Sequence, residues 1–242
     1  AAPSDTWEGR GKTMEILSGV TYELVADPKN GEMLTYLEAH KEELTAQQRR
    51  EVEVVRKEYD QMHRIPAEEY VAYSVLLNDA QAVWEKSKNN DDFDSFAPYL
   101  EKIVAFNRKF AGYYNPDLAP YDALLNEYEE GLTMETLDGF FAELRQVIVP
   151  LVRAIAEKEQ PNTDFLNRSY PVEGQKKLAK YLMEVIGLDS NVCTIAESEH
   201  PFTLGFNTSD VRITPHYHEY HPTFAVFSTI HEGGHALYDL GV

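Results

Sequence analysis

The stretch "LDGFFAELRQVIVPLVRAI", residues 137–155, sets the architecture of this chain. In it Leu137, Phe140, Phe141, Leu144, Ile148, Leu151, Val152 and Ile155 recur at three- and four-residue steps, the spacing of one face of an α-helix. Pro150 falls inside the stripe, which resumes on the same face beyond it. The proline is therefore expected to kink or locally unbond the helix, not to end it. The same period runs through residues 10–187. Its interruptions carry local chemistry: "DPKNG" at 27–31 reads as a turn, Thr45 with Gln48 as a capping box, Pro66 as a first-turn proline and "NPDLAPYD" at 115–122 as a loop. These signals imply a mainly α fold class, a helical bundle or array. No repeat period and no low-complexity linker marks a boundary, so residues 1–242 read as a single domain whose helical part is 1–187.

From residue 188 the texture changes. "GLDSNVCTIAESEHPF" and the residues after it are rich in β-branched side chains, turn formers and histidine; six of the eight histidines lie at or beyond position 200. "DVRIT" at 210–214 alternates as a half-buried strand does. Val211 and Ile213 fall on one face, Asp210, Arg212 and Thr214 on the other. A short strand or hairpin is expected near 208–218, within a loop and β segment spanning 188–221. Helical spacing returns after Pro222, giving a final helix over 222–241 that carries "HEGGH" at 231–235.

Composition excludes several roles. Twenty-two basic against 41 acidic residues give a formal charge of −19, the wrong sign for a protein that neutralises phosphates, so nucleic acid is not an expected partner. The acid is spread along helical stretches and reads as a solvated helix surface. No apolar run is long enough to span a bilayer, and the first residues do not read as a signal peptide, so no membrane association is expected. One cysteine, Cys193, cannot form an internal disulfide, which fits a cytoplasmic location; it reads as a small buried hydrophobe.

His231 and His235 lie four residues apart, about 40° around a helix, so both imidazoles project from one face within reach of one ion. Glu232, about 100° away, is placed to reach a water on that ion and reads as a general base. Zinc is the expected occupant, with cobalt or manganese as substitutes. It lowers the pKa of water towards about 7, and the carboxylate takes the proton as the water attacks a peptide carbonyl, then passes it to the leaving amine. Gly233 and Gly234 each cost a helix about 1 kcal/mol relative to alanine, so a helix that keeps both is expected to have something lying close against its backbone there.

Three motifs in one order, "HPF" at 200–202, "DVRIT" at 210–214 and "HEGGHALY" at 231–238, resemble those of the Taq carboxypeptidase family of zinc metallocarboxypeptidases. "NDDFDSFAPYLEKIVAFNRKFA" at 90–111 and the stretch 120–152 are similar to the same family. The loop "CTIAESEHPF" at 193–202 departs from it, having no Gly-Arg-Leu-Asp-like lead. The resemblance implies a helical fold with a long groove floored by a small sheet, a homodimer, and a peptide substrate cut at its C-terminus. It also implies a third metal ligand, a glutamate on a later helix that would fall beyond Val242, so the chain reads as a fragment expected to be inactive by itself. Resemblance places His200 near the groove and Asp210, Arg212 and Thr214 at its closed end, where an arginine fork suits a terminal carboxylate.

Other readings of the residues stand beside these. The third ligand could come from Glu197, Glu199, His200, His216, His218 or His221. His200 could hold a buried loop, Arg212 could be a surface charge paired with Asp210, and His216, His218 and His221 could form a second metal site or an ordinary surface loop. For function, the alternatives are a related helical zinc endopeptidase or dipeptidase, and a non-catalytic helical scaffold with a vestigial motif.

Overall fold

A computed structural model describes residues 6–241, the side chain of Glu8 excepted. It is mainly α with one small sheet. The elements run α1 (Trp7–Val25), α2 (Pro28–Ala39), α3 (Ala46–Arg64), α4 (Ala67–Asn89), α5 (Phe93–Tyr114), α6 (Pro120–Leu125), α7 (Met134–Ala156) and α8 (Val172–Val185). The strands β1 (Cys193–Ile195), β2 (Phe202–Asn207) and β3 (Asp210–Thr214) come next, and then the helix α9 (Pro222–Gly241). Contacts gather into two compact units, one ending at Leu151 and the other beginning at Val152. The sequence reading expects one domain; the division falls inside α7, where no linker announces it.

In the first unit α1 packs on α4, α4 on α5, α5 on α6 and α2 on α3, with α3 also touching α1 and α5. Phe110, Ala111, Ala80 and Ala123 are buried there, and the Tyr73 ring meets Phe106 and Phe110 while its hydroxyl donates to Asn107 Oδ1 at 2.9 Å. Burial, and then the charge of Glu127, pushes the Tyr114 phenol up to about 12. Thr45 and Gln48 form the expected capping box of α3. "DPKNG" starts a helix in place of the expected turn. Asp27 accepts a hydrogen bond from the Lys29 amide and Pro28 supplies a first-turn φ. Gly31 then serves packing inside α2, since a Cβ there would lie 2.5 Å from the Tyr59 hydroxyl. Pro66 sits one residue earlier than expected, as the N-cap of α4.

Helix α7 runs through Pro150 as its stripe requires. None of its residues is buried, however. Phe140 and Val152, for example, are each 57% exposed. No helix among the described residues is long and apolar enough to cross a membrane.

In the second unit the sheet has the order β1–β3–β2, with β1 parallel and β2 antiparallel to β3. The expected hairpin is present over 202–214, turned by Asn207, whose Oδ1 accepts from the Ser209 amide at 2.8 Å. The strand β1 carries no sequence signal, because three residues are too few to show a period. Val211 and Ile213 are fully buried, packed with Cys193, Met183 and Leu188 and with Ala236 of α9. Thr214 departs from its expected outward position: it is buried, because its hydroxyl is used by the neighbouring loop. Ile213→Ala should lower stability by about 2–5 kcal/mol, the range for emptying a packed aliphatic site, read from urea denaturation monitored by circular dichroism. A loss below about 1 kcal/mol would mean that the sheet and α9 do not share this core.

Candidate metal centre

Helix α9 starts at Pro222 and lies against the sheet through its small residues. A Cβ on Gly233 would fall 2.3 Å from Ile186 Cδ1, so the close approach expected at this glycine is made by the segment after α8. Gly234 faces open space among the described residues. On the side turned outward, His231 and His235 lie one turn apart, both exposed, with ring centroids 4.9 Å apart and planes at 84°. Their Nε2 atoms are 3.3 Å from each other. Two nitrogens bonded to one tetrahedral ion at 2.0–2.1 Å stand about 3.3–3.4 Å apart, so the pair fits two corners of a zinc-sized site. For both Nε2 lone pairs to point at an ion, each ring must carry its proton on Nδ1. Among the described residues no third His, Cys, Asp or Glu joins them, which leaves Glu197, Glu199, His200, His216, His218 and His221 outside the set.

Glu232, between the two histidines in sequence, is buried on the sheet side of the helix. Thr203 Oγ1, on β2, donates to Glu232 Oε2 at 2.6 Å and lies 3.0 Å from the carbonyl oxygen of the same residue. The carboxylate is therefore held by the sheet, and Glu232 shares with His231 the lining of one hollow. An open hollow of about 660 Å³ runs along this face, walled by His200, Phe224, Phe227, Ser228, His231 and Glu232. Phe227 and Phe224 are four and seven residues before His231, on one helix face, and that spacing is the sequence signal by which they can be found.

The loop that carries His200 is held by Thr214. The Thr214 hydroxyl donates to the Phe202 carbonyl at 3.1 Å and accepts from the Phe202 amide at 2.9 Å and from Ser198 Oγ at 2.7 Å. His216 Nδ1 lies 2.7 Å from the Ser198 carbonyl, to which it donates as Nδ1–H. His216, His218 and His221 form a chain of edge-to-face rings, with centroids 4.4 and 6.3 Å apart. Among the described residues they make no second metal site.

Asp210 and Arg212 lie elsewhere. Thr203 pairs with Ile213, so both face α9, and Arg212, one residue earlier on β3, points to the opposite face of the sheet. There its guanidinium donates to Asp210 at 3.1 and 3.0 Å and lies 4.6 Å from the Phe206 ring centroid. The hydrogen bond from Arg212, together with its charge, holds the Asp210 carboxyl below the usual carboxylate range. The structure thus brings together His200, His231, Glu232 and His235, and does not bring Arg212 and Asp210 to them.

Comparison with known proteins gives a consistent family. The chain matches the family model described as Carboxypeptidase Taq (M32) metallopeptidase over residues 1–242. It is 36% identical over 242 residues to Carboxypeptidase 1 of Bacillus subtilis, a match covering all of this chain and 48% of that protein. Thermostable carboxypeptidase 1 of Thermus thermophilus is 31% identical over 252 residues, covering 99% of this chain and 49% of the relative. Among solved structures, the M32 carboxypeptidase from Deinococcus radiodurans R1 superimposes with a TM-score of 0.82 at 33% identity, over all of this chain and 48% of that one. The chain spans about half the length of the curated relatives it matches.

Proposed function

The chain belongs to the carboxypeptidase Taq (M32) metallopeptidase family, and on that footing we propose that the whole protein is a zinc-dependent metallocarboxypeptidase releasing C-terminal amino acids from peptides. The observation that carries this reading is the pair of Nε2 atoms 3.3 Å apart, with Glu232 lining the same hollow as His231. The spacing suits two corners of a tetrahedral zinc site, with cobalt or manganese as substitutes. His231 and His235 would hold the zinc, which when bound would supply Lewis acidity toward a peptide carbonyl and a water molecule. Glu232 takes the proton of that water as it attacks and hands it to the departing amine.

Phe224 and Phe227 give the hollow an apolar wall for a substrate side chain, and His200 faces the peptide from the opposite loop. Thr214 acts by holding that loop. The third metal ligand is proposed to come from outside the described residues. A homodimer in the cytoplasm completes the reading.

An exopeptidase that grips a terminal carboxylate loses its charge-assisted hydrogen bonds when that group is amidated. The whole protein should cleave a free-acid peptide at least about 100-fold faster than its C-terminal amide, two such bonds being worth about 3 kcal/mol or more. Equal rates, measured by mass spectrometry of the products, would replace this reading with a related endopeptidase.

A further inference from the structure

We propose that Thr203 is a positioning residue for the general base, its hydroxyl holding the Glu232 carboxylate by Oε2 so that Oε1 is the oxygen left for the reacting water. The proposal rests on the reading of Glu232 as that base. A glutamate side chain has three rotatable bonds, and Glu232 lines an open hollow of about 660 Å³. Proton transfer needs one rotamer, since a donor and acceptor about 1 Å out of place lose rate steeply.

Thr203 is suited to choose it. It is paired in register with Ile213, which is fully buried on the central strand of the sheet, so its backbone is fixed by that strand. Its β-branched side chain is stiff about χ1, and the short contact to Oε2 is accompanied by one of 3.0 Å to the carbonyl oxygen of Glu232 itself. The hydroxyl has a single proton to donate. The charged oxygen, the nearer of the two, is the acceptor that takes it. The residue stands immediately after His-Pro-Phe, so the loop that presents His200 and the strand that orients Glu232 are continuous in the chain.

Thr203→Val preserves shape and removes the hydroxyl, while Thr203→Ser keeps the hydroxyl and removes the branch. In the whole protein, Thr203→Val should lower kcat by about 10- to 100-fold with KM within about twofold and bound metal unchanged. Thr203→Ser should restore kcat to within about threefold of the wild type. A second readout does not depend on turnover: crystal structures of the metal-free variants should show Glu232 in one rotamer in the wild type and the Ser variant, and spread over more than one in the Val variant. A Val variant with wild-type kcat, or with Glu232 still in a single rotamer, overturns the proposal. So does a folded Ser variant whose kcat is about tenfold or more below the wild type, which also decides the matter if the Val variant fails to fold. A wild-type protein that cleaves no peptide would sink the carboxypeptidase reading alone, and the rotamer comparison would still decide the role of Thr203.

Discussion

Glu232→Gln in the whole protein is expected to keep its metal and to lose about 10²- to 10⁴-fold in kcat, the contribution of a positioned general base. The substitution is nearly isosteric. The amide oxygen can take the place of Oε2 and accept the Thr203 hydroxyl, so the side chain keeps its position against the sheet. What it loses is basicity, because an amide does not take a proton near neutral pH. His231 and His235 are untouched, and metal measured by mass spectrometry after dialysis should remain at the wild-type ratio. A Gln variant found empty of metal would make Glu232 a ligand and require another residue for the proton transfer.

His231→Ala should remove both metal and activity, the largest loss expected from a single change. In the proposed site His231 and His235 are two of the ligands, and deleting one leaves a single imidazole of the pair, short of the three protein ligands that hold a catalytic zinc. The fold should be indifferent to the change. His231 is exposed on a helix, where alanine is the better helix former by several tenths of a kcal/mol, so circular dichroism and thermal unfolding should match the metal-free wild type or improve slightly on it. Retained metal at full occupancy in the alanine variant would show that the ion is held elsewhere. A collapsed fold would show that the pair is structural.

These two variants test residues that can be read directly from the chain, since the geometry behind them is local. Positions four apart on a helix share a face whatever surrounds them, and His231 with His235 needs only the assignment of "TFAVFSTIHEGGHALYDL" to a helix. The same holds for the capping box of Thr45 and Gln48 and for the passage of α7 through Pro150. Where local signals compete, reading is less secure. In "DPKNG" the proline and aspartate that suit a turn equally suit the start of a helix, and the helix prevails because Gly31 packs against Tyr59 on α3, a contact that no window of neighbouring residues contains.

By itself, then, the sequence determined the mainly α class, the helix that carries His231 and His235, the inward face of Val211 and Ile213, and the place of Glu232, the proposed base, between the two histidines. All of these depend on spacings of two to four residues along one element. The tertiary structure alone decided what crosses between elements. It set Thr203 against Glu232 across 29 residues of sequence, paired β1 in parallel with β3, buried Thr214 under the His200 loop, and turned Arg212 to the face of the sheet away from α9. It also left the apolar stripe of α7 exposed among the described residues, where periodicity showed only that the stripe exists. The reason is register. A shift of one residue in how β2 meets β3 exchanges the two faces of the strand and would carry Thr203 away from the carboxylate, and that register is fixed by burial of Val211 and Ile213 against α8 and α9 together, not by any neighbour in the chain.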